Sequence, residues 1–345
     1  MSTSAEPGPP AQPAMAVRRI GSAHIGGRPA SLQGLQPRQI RYSPGGPVVN
    51  LDPNGDFEIE QMYVQYVQLQ QPRARYPLLL MHGGGMSGVC YETKPDGQPG
   101  WQSFFLRAGH DVWTADAVER GRATWARSPE FFAGEPVFRS KQEAWELFRI
   151  GPPGSWRGRE RRAHADTRFP LAAFDQFMKQ STPRWSSTEA ATQAAYDELA
   201  RLHGPFVLIA HSQGCNFAFA MALAQPEKVR AIVAIEPSGF PQVPDQALAR
   251  LRGIPHLLVW GDHFEGHPLW SQLRVALAGY RDRLRAQGVR ADEWDLPALG
   301  LAGNSHMIMM DTNSDDVADR VQVWLTQQGL CAGQAAHGQP RGLVP

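Results

Sequence analysis

The chain has 345 residues, 42% hydrophobic and 19% charged, with a formal net charge of +1. That balance excludes a low-hydrophobicity disordered chain and gives no charge-driven reason for a nucleic-acid or membrane-surface partner. At ~150 residues per domain the length admits one large domain or two ordinary ones, and the cysteines Cys90, Cys215 and Cys331 form neither a disulfide framework nor a CxxC zinc pattern.

Residues 1–14 are rich in Pro, Ala and Ser and read as a disordered tail. The first twenty residues lack the apolar core of a secretory signal, and no apolar run reaches the ~18 residues a bilayer span needs. A cytoplasmic protein is therefore expected, or a periplasmic one if the start codon is mis-assigned. Val17 to Leu32 reads as a hairpin turning at Gly26-Gly27, and Glu58 to Gln70 alternates like a half-exposed strand. Short apolar runs then recur between helix-length stretches: Tyr76–Met81, Asp111–Ala117, Pro205–Ala210, Val229–Ile235, His256–Trp260 and Glu293–Leu296. Runs of this length suit strands buried on both faces of a parallel sheet. The expected fold class is α/β, with a mostly parallel sheet flanked by helices. Residues 15–120 and 191–330 form the core. Residues 121–190, rich in Trp, Phe, Arg, Pro and Gly with no convincing strand, form a helical cap insertion. Asp316 to Gln328 has the spacing of an amphipathic helix, and residues 331–345 read as a flexible tail.

The sharpest motif is FVLIAHSQGCNFAFAMALA. A buried strand runs into Ser212 and a helix follows, with small residues, Ala210 and Gly214, two positions to either side. Such a turn lifts the serine Oγ above a sheet and puts the next backbone N–H at a helix N-terminus. The usual pattern is G-x-S-x-G, and Ala210 departs from it at the first position. LLLMHGGGMSG, residues 78–88, carries two readings. Gly83, Gly85 and Gly88 spell the dinucleotide fingerprint G-x-G-x-x-G, while His-Gly-Gly-Gly also suits an oxyanion turn whose N–H groups approach a developing alkoxide. Only the second reading explains the serine elbow downstream. A nucleophilic serine needs a base and an orienting carboxylate. His306 in GNSHMIM follows the last strand pattern, and Glu236 in IVAIEPSG and Asp262 in LLVWGDHF stand at strand ends between them; the residues alone leave both open. His263, His267 and Glu265 lack the HExxH spacing, so no metal is expected.

These residues resemble the α/β-hydrolase superfamily over about residues 16 to 330. Within it, GSAHIGGR, the glycine turn leading into YETKPDGQPGW, the HSQ elbow, IEPSG, GDHFEGHPLW and LPALGLAGNSHMIMMD are most similar to a small group of bacterial carboxylesterases. The resemblance implies a Ser212–Glu236–His306 triad, with the acid after strand six; most of the superfamily instead has an Asp after strand seven, which maps onto Asp262. It also implies oxyanion donors at the N–H groups of Gly84 and Gln213. That group carries cysteines in the glycine turn where this chain has Gly84 and Gly85, so a disulfide there is absent. The activity implied is hydrolysis of a small-molecule carboxylic ester through an acyl-enzyme, without cofactor and without a nucleic-acid or membrane partner; a homodimer is compatible with it. A lactonase or amidase using the same machinery, and a ligand-binding homologue without turnover, are the alternatives.

Overall fold

The computed structural model describes residues 14–331 apart from residues 133, 158 and 159. The expected tails at residues 1–14 and 331–345 fall almost entirely outside the described residues.

The short apolar runs become strands because each is covered on both faces. Eight strands form one sheet: β1 Val17–Leu32, β2 Gly55–Leu69, β3 Leu78–Met81, β4 Val112–Asp116, β5 Phe206–His211, β6 Val229–Ile235, β7 His256–Trp260 and β8 Ala291–Asp295. Their order is β1-β2-β4-β3-β5-β6-β7-β8. The pairs β1–β2 and β2–β4 are antiparallel and the rest parallel. Successive residues point to opposite faces, so the central strands feed two cores. Leu79, Met81, Leu208, Ala210, Ile232 and Ala234 enter one, and Leu78, Leu80, Val207, Ile209, Val233 and Ile235 enter the other.

The helices divide in the same way. In chain order they are α1 Trp101–Arg107, α2 Lys141–Leu147, α3 Phe174–Met178, α4 Glu189–His203, α5 Gln213–Ala224, α6 Trp270–Ala286 and α7 Ser314–Gln327, with shorter turns between. The first core takes α4, α5 and α6, and the second takes α1 and α7. In α7 the buried positions Val317, Ala318, Val321, Trp324 and Leu325 make one apolar stripe. Trp101, Phe105 and Trp260 are fully or almost fully enclosed, each contributing about 1.5–3 kcal/mol by leaving water.

Residues 17–32 do not form a hairpin. They run as one strand, β1, paired with β2 from Val17↔Leu69 to Leu32↔Gly55. Gly26 and Gly27 take φ 70° and 87° and bend the strand instead of reversing it. The physical reason is close packing. A Cβ on Gly26 would stand 3.0 Å from Ala195 Cβ in α4, and one on Gly27 3.0 Å from Ile59 O, so the two glycines let helix and partner strand approach where a side chain would hold them apart.

Helix in the insertion between β4 and α4 is confined to α2, α3 and brief 3₁₀ turns, with a short ribbon pairing Trp156–Arg157 with Glu160–Arg161. Pro129, Pro136, Pro152, Pro153, Pro170 and Pro183 punctuate it and interrupt longer helices. Five of its aromatic residues, Trp145, Phe148, Phe169, Phe174 and Phe177, are buried in the second core, while Trp125 and Phe138 are exposed.

Candidate active site

Strand β5 runs straight into Ser212, which takes φ 51° and ψ −117°, a conformation that a non-glycine residue keeps only where its surroundings enforce it. The Ser212 N–H donates to Ile235 O at the end of β6 at 2.9 Å, and its carbonyl accepts from Cys215 N–H at 3.1 Å. A Cβ on Gly214 would stand 2.6 Å from Met81 O and 2.7 Å from His82 O, so glycine alone lets α5 lie this close to the end of β3. Ala210 is wholly buried, in register with Met81 and Ala234 on the neighbouring strands. Its methyl group belongs to the core and does not obstruct the turn.

The glycine turn presses on that elbow. A Cβ on Gly83 would come 2.7 Å from His211 Nδ1 and 3.0 Å from Ser212 Cβ, and one on Gly84 3.1 Å from Gln213 Oε1. The turn leads only into the single helical turn Val89–Glu92, and Gly88 N–H donates to Asp116 Oδ1 at 2.6 Å. These glycines therefore serve close approach to the serine, and no long helix follows to hold a pyrophosphate at its N-terminus. His82 braces the turn: Nδ1 donates to Gly83 O at 2.8 Å and Nε2 accepts from Ala117 N–H at 3.0 Å. Burial pushes its pKa down to about 4, so the ring stays neutral.

His306 lies in a shell of rings. It stacks on Phe148 at 5.6 Å between centroids and tilts against Trp270 at 4.1 Å, while its N–H donates to Phe148 O at 2.8 Å. His211 Nε2 donates to His306 O at 2.9 Å. The His306 Nδ1 donates to Glu236 Oε2 at 2.6 Å, which assigns the proton to Nδ1 and leaves the lone pair on Nε2. Burial pushes the His306 pKa down to about 4, against the pull of Glu236.

Glu236 is wholly buried and takes φ 48°. Its Oε1 accepts from Arg149 Nη2 at 2.5 Å and from Gly261 N–H at 2.7 Å. Burial would raise its pKa, but the charge of Arg149 and the His306 contact bring it down to about 2. At neutral pH the pair is a carboxylate facing a neutral imidazole. Asp262 points elsewhere: its Oδ1 accepts from His263 N–H at 2.7 Å and its Oδ2 from Gly303 N–H at 2.9 Å. It ties its own loop to the one that carries His306.

The structure thus brings Ser212, His306, Gly84 and Gln213 to the wall of one cavity of about 320 Å³, sets Glu236 behind His306, and leaves Asp262 outside. Gln213 opens α5, so its N–H lies in the first turn, where no intrahelical acceptor exists. The insertion supplies Arg139, Leu147, Phe148 and Arg184 to this wall.

Sequence reasoning missed Arg149. It is 1% exposed, donates from Nε to Asp262 O at 2.7 Å, and lies over the Phe264 ring at 4.0 Å. Its only sequence signal is a lone charge within the apolar run Leu147-Phe148-Arg149-Ile150. Asp311 was missed as well; fully buried, it accepts from Ser305 N–H at 2.8 Å and Asn304 Nδ2 at 3.0 Å and so holds the His306 loop. Among the described residues one group, Asp166, Asp262 and His263, has ligand atoms within 4.8 Å of one another. Both Asp262 oxygens are engaged in hydrogen bonds as above, and His263 Nε2 lies 3.1 Å from Asp166 Oδ1 without hydrogen-bond geometry. His267 Nδ1 accepts from Leu269 and Trp270 N–H at 3.3 Å, at the start of α6.

A family model described as the alpha/beta hydrolase fold matches residues 76–303. The chain is similar to a bacterial esterase of known structure, with 33% identity and a TM-score of 0.80 over 94% of this chain and 99% of that one. It is also 26% identical, over 79% of this chain and 88% of the relative, to a protein of a fungal species (strain ATCC 74256) described as a probable secreted lipase.

Proposed function

The chain belongs to the alpha/beta hydrolase family, and from that premise we propose that it is a serine carboxylesterase working through an acyl-enzyme. The observation that carries this reading is the 2.6 Å contact of Glu236 Oε2 with His306 Nδ1, behind a cavity that His306 shares with Ser212 on its strained elbow. In this mechanism His306 Nε2 takes the Ser212 Oγ proton as Oγ bonds to the ester carbonyl carbon. The carbonyl oxygen becomes an oxyanion, met by the N–H groups of Gly84 and Gln213. Glu236 stabilises the imidazolium without taking its proton. The tetrahedral intermediate collapses, the alcohol leaves with the proton from His306, and water repeats the sequence on the acyl-enzyme to release the acid. The names of the bacterial esterase and the fungal lipase point the same way, and a cavity of about 320 Å³ suits a small ester.

Turnover of p-nitrophenyl acetate and butyrate, with fluorophosphonate labelling and peptide mapping, tests the proposal. Steady turnover and a label on Ser212 are expected. A label on another serine, full activity in Ser212→Ala, or a burst with no turnover would overturn it.

A further inference from the structure

Two guanidinium groups stand in the wall of the Ser212 cavity, and among the described residues no carboxylate does. Arg139 and Arg184 line it together with Gly84, Ser212 and His306. Both also line an adjoining cavity of about 200 Å³ with Gly85, Val137 and Ser186. Arg139 lies over the Phe148 ring at 5.4 Å, and His306 stacks on the same ring. Arg184 overhangs the glycine turn, with Nη1 3.2 Å from where a Cβ on Gly84 would be. Among the described residues each arginine has one acidic partner. Arg139 Nη1 meets Glu143 at 2.6 Å and Arg184 Nη2 meets Glu189 at 2.5 Å, and both glutamates are about half exposed. Exposed pairs of this kind contribute little. In each guanidinium the Nε is buried with no hydrogen-bond partner among the described residues. Buried N–H donors left unpaired are costly, and burial together with the like charge of Arg184 already pulls the Arg139 pKa down. An anion in the cavity would relieve both.

We propose that Arg139 and Arg184 form a carboxylate-binding subsite, so that the preferred ester carries a second, ionised carboxyl group besides the bond cleaved at Ser212. This rests on the esterase reading and names its substrate class. Arginine suits the role because its planar fork matches the two oxygens of a carboxylate. The second cavity gives the charged end of the substrate room beyond the glycine turn.

The test compares kcat/KM of the wild-type enzyme for p-nitrophenyl hemiadipate against p-nitrophenyl hexanoate, with the carboxylate on the acyl side. p-Acetoxybenzoate against its methyl ester puts the carboxylate on the alcohol side. A preference of about 10- to 100-fold for the charged member of at least one pair is expected from charge-assisted hydrogen bonds, and it should shrink as salt screens the partly exposed guanidiniums. In the Arg139→Gln/Arg184→Gln double variant the charged-to-neutral ratio, measured within the variant, should fall towards one, with Arg139→Lys/Arg184→Lys keeping part of it. Wild-type turnover of the neutral esters with no preference in either pair overturns the subsite and leaves the esterase reading standing. No turnover of any of the four overturns both. A variant that does not fold leaves the wild-type comparison decisive.

Discussion

Arg149 donates from Nη2 to Glu236 Oε1 at 2.5 Å, and the other oxygen of the same carboxylate takes His306 Nδ1 at 2.6 Å. A side chain from the insertion between β4 and α4 thereby holds the ionised state of a carboxylate that follows β6. Without that cation, desolvation would favour the protonated acid.

Arg149→Met should leave a buried, unpaired carboxylate and cost about 3–5 kcal/mol of stability. The Glu236 pKa is depressed from 4.5 to about 2, so its stabilising contribution is fully present above about 4.5 and lost as pH falls to about 2. The variant should lack that pH-dependent stability. The charge of Arg149 lowers the His306 pKa while the Glu236 charge that it sustains raises it, so the acid limb of kcat/KM should move. Thermal melts from pH 3 to 7 and a pH–rate profile check this; a purely packing role would destabilise the protein without moving the limb.

Glu236→Gln should reduce kcat by on the order of ten-thousandfold, the scale seen when a triad loses its orienting carboxylate. Asp262→Asn should lose no more than about tenfold, because Asp262 braces two loops and does not face the imidazole. Both variants should keep native circular dichroism. The reverse ranking would return the acid to Asp262.

His306 must be neutral to accept a proton. Burial takes its pKa below the ordinary ~6.5, so kcat/KM should hold steady on descending through pH 6 and fall only at lower pH. Initial rates between pH 4 and 9 decide this, and a limb at pH 7 or above would show that the ring is not held neutral by burial.

Gly214→Ala sets a Cβ 2.6 Å from Met81 O, a contact with backbone that cannot swing aside. The variant should lose about 1–3 kcal/mol, as overpacked sites do, and activity should fall with the displaced elbow. Chemical denaturation and kcat measured together check both effects.

Three further buried histidines, His82, His110 and His256, each have the pKa lowered by burial to about 4. The unfolded chain binds these protons near ~6.5, so stability should fall as pH drops from about 6.5 to about 4. Melting temperatures across that window should slope downward, and less steeply in His256→Asn.

Some of this was legible from local chemistry. A serine that ends a buried strand between Ala210 and Gly214 can be recognised without partners, because the small neighbours and the following helix are covalent neighbours of the serine. The parallel strands were legible for a similar reason: a run such as Val229–Ile235 is apolar throughout only if both faces are covered. Gly26-Gly27 misled because glycine permits positive φ in a turn and in a bent strand alike. What chose between them was contact with Ala195, far along the chain.

The choice of the carboxylate beside His306 belongs wholly to tertiary structure. Glu236 and Asp262 follow adjacent strands β6 and β7, and by sequence each is a carboxylate at a strand end. The buried Arg149 guanidinium and the Gly261 N–H converge on Glu236, while the Gly303 and His263 N–H groups converge on Asp262. Local residue order determined where a nucleophile and a base could stand. Which carboxylate faces the base was decided by donors brought together from distant segments, because a buried charge settles where its hydrogen bonds are made.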